Sequence, residues 1–169
     1  MDDIVWLMSQ EIGPLRRYAT ALTNDPHLAD DLVQDTLERA MRKRRQWGGK
    51  GSLRSWLCRI LYRQFLNART ARSRRPEMMA ANDETPQGVT DAAQEDRMAC
   101  SEISQAMQRL PQDQRAALVL TVVEGLAYDE AAQVLDIPVG TLRSRLSRAR
   151  EALRHIYQPA AEAGIKRVK

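Results

Sequence analysis

The sequence predicts an all-α protein: two small helical domains joined by a flexible linker, the C-terminal one a helix-turn-helix. Three observations carry this. Apolar residues recur at helical spacing through both halves, and no stretch alternates for long enough to build a sheet. The length of 169 residues suits one domain or two small ones, at roughly 150 residues per domain. Charge divides the chain in three: residues 1–75 carry 15 basic and 8 acidic groups, 76–100 carry 1 and 6, and 101–169 carry 10 and 8. The middle stretch holds Pro76, Pro86 and Gly88 and few large apolar residues, a linker composition. The expected boundaries are therefore 1–75, 76–100 and 101–169.

The elements follow in order. A first helix runs from about Asp3 to Thr23, bent at Gly13-Pro14. Asn24-Asp25-Pro26 supplies a stop, an N-cap and a proline at the first helical position. A second helix runs from Pro26 to about Gln46, with Leu28, Leu32, Leu37 and Met41 as core candidates. The glycines of Gly48-Gly49-Lys50-Gly51 break it, and Ser52 opens a third helix carrying Leu53, Trp56, Leu57, Ile60 and Leu61. Four more helices are expected in the C-terminal part: Ser101 to Leu110, one from Pro111 to the stop at Gly125, Tyr128 to Leu135, and Val139 to about Tyr157. Asp136-Ile137-Pro138 forms the turn before the last.

Composition excludes several classes. No apolar run approaches the roughly 20 residues that span a bilayer, so no membrane insertion is expected. Met1-Asp2-Asp3 is not the start of a signal peptide. Two cysteines (Cys58, Cys100) and two distant histidines (His27, His155) make neither a disulfide framework nor a metal site. The expectation is a reduced, cytoplasmic protein with no catalytic residue, metal or cofactor, because no nucleophile–base pair or phosphate loop is visible. The net charge is +4, and of 26 basic residues only four are lysines. Arginine grips phosphates and base edges bidentately, so an anionic partner is indicated.

Three surfaces are candidates. On the last helix, Leu142, Leu146, Ala149, Leu153 and Ile156 fall within an arc of about 80°, a buried face. Opposite lie Ser144 and Arg148, flanked by Arg143 and Ser147, suited to bases and phosphates of duplex DNA. Gly140 and Thr141 offer free N–H groups at the helix start. Alone, such an arginine-rich face reads equally as a solvated surface; the short helix and turn before it favour DNA. In the third helix, Tyr62, Phe65 and Leu66 interleave with Arg59, Arg63 and Arg69, a pattern suited to melted DNA. For Tyr62 or Phe65 singly, packing on a neighbouring helix is the simpler reading. Asp30, Asp31, Gln34, Asp35 and Glu38 form an acidic ridge on the second helix, which could serve its dipole or dock a basic helical partner.

Together these motifs resemble the extracytoplasmic-function (ECF) sigma factors of bacterial RNA polymerase. Ala29-Asp30-Asp31-Leu32-Val33-Gln34-Asp35-Thr36 is similar to the family's core-binding region two. Ser52 through Ile60 is similar to its following Trp-Leu-x-x-Ile helix. Leu110 through Arg115 and Val139 through Arg150 are similar to region four. The resemblance covers roughly residues 10–75 and 101–157.

It implies that Asp31, Leu32, Gln34 and Asp35 bind core RNA polymerase, and that Lys50, Arg59, Arg63 and Asn67 meet melted −10 promoter DNA. A flipped base would sit against the Gly48–Ser52 loop. Gly140, Thr141, Arg143, Ser144, Ser147 and Arg148 would read the −35 element. The linker would pass near the polymerase cleft, and an anti-sigma factor is an expected partner. Two departures stand out: Arg63 occupies a position where the family often has Asn, and Asp136 stands where the turn often has Gly. Two alternatives remain open at this point, a sigma-like decoy that sequesters an anti-sigma factor and a stand-alone helix-turn-helix regulator. Decoys usually carry a receiver domain, for which this sequence shows no motif, and the second leaves the N-terminal motifs unexplained.

Overall fold

The structure, a computed structural model, describes residues 2–49, 51–74 and 103–165, with the backbone alone for residue 2 and for 157–165. The expected linker, Lys50, Cys100 and the last four residues lie outside them. All regular elements among the described residues are helical: α1 (Asp2–Gln10), α2 (Ile12–Thr23), α3 (Pro26–Arg42), α4 (Arg44–Trp47), α5 (Leu53–Ser73), α6 (103–109), α7 (Gln112–Leu118) continuing as a π-turn (Val119–Val123), α8 (Tyr128–Leu135) and α9 (Val139–Ile165).

Local chemistry explains most boundaries. The first break falls at Glu11, ahead of the expected bend. A proline ring clashes with the carbonyl four residues back, so Pro14 ends α1 at Gln10 and sits inside the first turn of α2. Asn24 closes α2 in the left-handed region, and the Asp25 carboxylate accepts from the N–H groups of His27 and Leu28. Such a cap contributes about 1 kcal/mol. Ser52 caps α5 by accepting from Ser55 N–H. Asp136 takes φ 55°, ψ 47° at the end of α8, so the turn keeps its left-handed conformation without glycine.

The N-terminal module packs α2, α3 and α5 around Leu15, Tyr18, Ala19, Leu57, Cys58 and Leu61. The buried stripe of α3 is Ala29, Leu32, Val33, Thr36 and Ala40, which keeps Leu32 of the expected set and replaces the rest. Leu28, Leu37 and Met41 are only half-buried, because the small residues let α3 lie close to its neighbours. In the C-terminal module, Ala131 and Ala132 let α8 cross α9 closely, against the fully buried Leu142, Leu146 and Ala149. The π-turn adds a residue to the register of the preceding helix. Val119 and Leu120 stay buried, while Val122 and Val123 face outward.

The two modules are packed together. Helix α8 lies on α5, α7 and the π-turn lie on α2, and one continuous hydrophobic core runs through both. Helix α9 continues to Ile165, past the expected end at Tyr157.

Candidate nucleic-acid interface

A concave surface of about 340 Å³ opens between α3 and α5. Helix α5 supplies Trp56, Arg59, Ile60, Arg63, Gln64 and Asn67, a stripe at steps of three and four residues. Helix α3 supplies Arg39 and Lys43, and Gln46 of α4 completes the wall. Arg59, Arg63 and Asn67 are thus brought together as expected. Arg39, Lys43, Gln46, Trp56 and Gln64 were not singled out for this surface by the sequence; the signal was the 39–43–46 spacing, which needs the packing partner to acquire meaning. Four cations, an indole and three amides surround the cleft. Gln64 is anchored by donating to Thr36 Oγ1 at 3.1 Å, and the buried Nε of Arg59 has no hydrogen-bond partner among the described residues. Of the expected Gly48–Ser52 loop, the described residues Gly48, Gly49, Gly51 and Ser52 are not among those lining this cleft.

Tyr62 and Phe65 do not face this surface. Tyr62 is 8% exposed and stacks on Phe65, with ring centroids 6.5 Å apart. Burial raises the pKa of the Tyr62 phenol, with Arg145 and Asp113 of the C-terminal module among its charged neighbours. The aromatic interleaving of α5 therefore serves packing, which leaves Trp56 as the aromatic in the cleft.

On the other side of α3, Asp31 and Asp35 line a second cleft, of about 250 Å³, whose floor includes Leu22, Leu28, Leu32 and Phe65. The ridge divides here. Asp30 is paired with Arg16 at 2.6 Å and Glu38 with Arg42 at 3.6 Å, whereas Asp31 and Asp35 make no ion pair among the described residues. Gln34 is exposed, and Leu32 is buried as part of the floor.

On α9, Gly140, Thr141, Arg143, Ser144, Ser147 and Arg148 are all exposed, opposite the buried Leu142, Leu146 and Ala149. Arg145 is turned inward to Asp113 at 3.5 Å, and Arg150 donates to Tyr128 Oη at 3.4 Å. Arg143 and Arg148 have no such partner among the described residues. Ser144 Oγ donates to Gly140 O at 3.1 Å, so it presents lone pairs rather than a proton to its surroundings. Cys58 plays no part in any of these surfaces. Burial, with the Glu124 and Glu11 carboxylates adding, pushes its thiol up to about 12, which keeps it protonated and unreactive.

Known proteins resemble both parts of the chain. A family described as "Sigma-70, region 4" matches residues 100–153, and one described as "Sigma2 domain of PhyR" matches residues 8–62. The chain is 36% identical over 143 residues to the ECF RNA polymerase sigma factor EcfG of Rhodopseudomonas palustris, covering 84% of this chain and 78% of that protein. It is 35% identical over 147 residues to the RNA polymerase sigma-H factor of Pseudomonas aeruginosa, covering 80% and 76%. Among solved structures it is similar to the sigma factor RpoE of Bartonella quintana, in complex with the anti-sigma factor NepR. That match has a TM-score of 0.78 and 29% identity and covers 94% of this chain and 98% of that one. Given these relatives, and helix-turn-helix and region-two modules in the expected order, the chain belongs to the ECF sigma factors, which bind core RNA polymerase and direct it to promoters.

Proposed function

We propose that the work of initiation is divided among three surfaces on domains 1–75 and 101–169, with 76–100 as the connecting linker. Asp31, Gln34 and Asp35 dock on the coiled coil of the largest polymerase subunit, with Leu32 in the apolar floor between them. Arg59, Arg63 and Asn67, joined by Lys50, Arg39, Lys43 and Gln46, hold the melted −10 strand against Trp56. Gly140, Thr141, Arg143, Ser144, Ser147 and Arg148 read the −35 duplex. Backbone N–H groups at the start of α9 receive a phosphate, and the two arginines meet base edges. The protein catalyses no step itself; nucleotide addition belongs to the core enzyme in the cytoplasm. Among the described residues, no helix is long and apolar enough to cross a membrane.

The observation that carries this reading is which charges are already satisfied. Asp30, Glu38, Arg145 and Arg150 have partners within the chain, while Asp31, Asp35, Arg143 and Arg148 have none among the described residues and stand on separate surfaces. An anti-sigma partner is proposed by extension from the Bartonella structure, in which RpoE is bound to NepR. The match to the PhyR sigma-like domain covers only residues 8–62, and Arg143 and Arg148 of α9, unpaired among the described residues, favour a promoter-reading protein over a decoy.

The −10 assignment is tested by substituting two exposed cleft cations, Lys43→Ala with Arg63→Ala. Permanganate reactivity of promoter thymines should fall about tenfold, a loss of about 1.4 kcal/mol, with co-purification of core polymerase unchanged. Melting at the unsubstituted level would remove the cleft from the −10 assignment.

A further inference from the structure

The contact between the two modules contains a charged group that neither the promoter surfaces nor the polymerase surface uses. Glu124, at the end of the π-turn, is 3% exposed. Its carboxylate is gripped bidentately by Arg17 of α2, with Nε to Oε1 at 3.0 Å and Nη2 to Oε2 at 2.9 Å. Its backbone carbonyl accepts from Arg54 Nη1 of α5 at 3.1 Å. Arg54 is itself held by Glu11, with Nε to Oε2 at 2.6 Å and Nη2 to Oε1 at 3.4 Å. The π-turn fixes where Glu124 sits: its N–H bonds Val119 O at 2.9 Å, five residues back, and Gly125 at φ 69° then turns the chain away. Two arginines from one module thus converge on one residue of the other.

A buried ion pair adds little net stability, because desolvation offsets most of its attraction, but it fixes one arrangement against others. This pair is also reversible. When the modules part, both charges return to water and neither is stranded. The side chain of Arg17 is already 54% exposed, so water can reach the pair without unfolding either module.

The closed arrangement conflicts with the geometry of a promoter. Elements centred at −10 and −35 lie about 25 base pairs apart, or about 85 Å of duplex at 3.4 Å per base pair. A compact body of about 140 residues has a radius of gyration near 14 Å and measures about 40 Å across. The stretch from 75 to 102, fully extended at about 3.3 Å per residue, reaches about 90 Å, long enough to let the modules part.

The geometry points to Glu124, clasped by Arg17 and Arg54, as a latch that holds the free sigma factor closed and must open before both promoter elements can be engaged. The inhibitory consequence rests on the sigma-factor function; the closure itself does not.

The test uses the full chain with Glu124→Gln, which keeps the side-chain shape and removes its charge, and separately Arg17→Ala, whose exposed position lets the fold stand if Glu124→Gln does not. Small-angle scattering reads closure, and run-off transcription at limiting core polymerase reads its consequence. If about nine-tenths of the free protein is closed, both variants should show a larger radius of gyration. Each should also need about tenfold less protein for half-maximal transcription. A folded variant that stays as compact as the parent overturns the latch. Expansion with no gain in transcription overturns its inhibitory role and leaves the sigma-factor function standing.

Discussion

Asp31→Lys combined with Asp35→Lys abolishes co-purification with core RNA polymerase. Both carboxylates are exposed, lie one helical turn apart on α3, and rim a cleft floored by Leu22, Leu28, Leu32 and Phe65. A basic partner helix gains attraction at the rim and burial at the floor. Reversing both charges places like charge opposite like, at a cost of several kcal/mol, which is more than a hundredfold in affinity. The fold should tolerate the change, since neither residue has an ion-pair partner among the described residues and lysine is the better helix former. A circular dichroism spectrum like that of the parent, with polymerase lost from the pull-down, is the expected pair of results. Undiminished association would remove Asp31 and Asp35 from the polymerase contact. Reversing the neighbouring Asp30 should do less, because that carboxylate is already taken by Arg16 at 2.6 Å.

Arg143→Ala and Arg148→Ala each reduce initiation from promoters that depend on the −35 element and spare polymerase binding. A bidentate base contact discriminates by about 1–3 kcal/mol, so each substitution should lower such initiation by about 5- to 150-fold. Neither arginine supports the fold. Both stand exposed, across α9 from Leu142 and Leu146, without an intramolecular partner among the described residues. Arg145, between them in sequence, makes a useful contrast. It is half-buried and paired with Asp113, so its loss should act through stability rather than through promoter choice. Normal initiation by either alanine variant on its own −35 sequence would show that another face of α9 reads the DNA.

Local chemistry made much of this architecture readable. Asn24-Asp25-Pro26, Ser52, Gly125 and Asp136 each act on the backbone within a few residues, and each terminates or starts a helix where the sequence places it. The same holds for the first three turns of α9, where Leu142, Leu146 and Ala149 are buried as the period requires, while Leu153 and Ile156 further along are only half-buried. Where two helices meet, sequence reasoning stopped. Arg39, Lys43 and Gln46 join the α5 stripe only because α3 packs beside it, and no property of residues 39–46 alone specifies that neighbour. Tyr62 and Phe65 were ambiguous as a pattern for a related reason, although packing was the simpler reading of each alone. Aromatics among arginines suit stacked bases and suit a helix–helix contact equally well, and the packing of α5 against the C-terminal module decided for the contact. Glu124 was the least legible residue. Its partners Arg17 and Arg54 lie 107 and 70 positions away, so an acidic residue next to glycine gave no local sign of burial.

The most direct measurement is run-off transcription by bare core polymerase on a library of promoter sequences, with and without the purified chain. Addition of the protein should yield discrete start sites whose upstream sequences share one motif near −10 and another near −35, both absent from transcripts made by core alone. An unchanged, unselective transcript pattern, under conditions where the protein is folded and bound to the polymerase, would contradict the assignment of its two helical modules to the promoter.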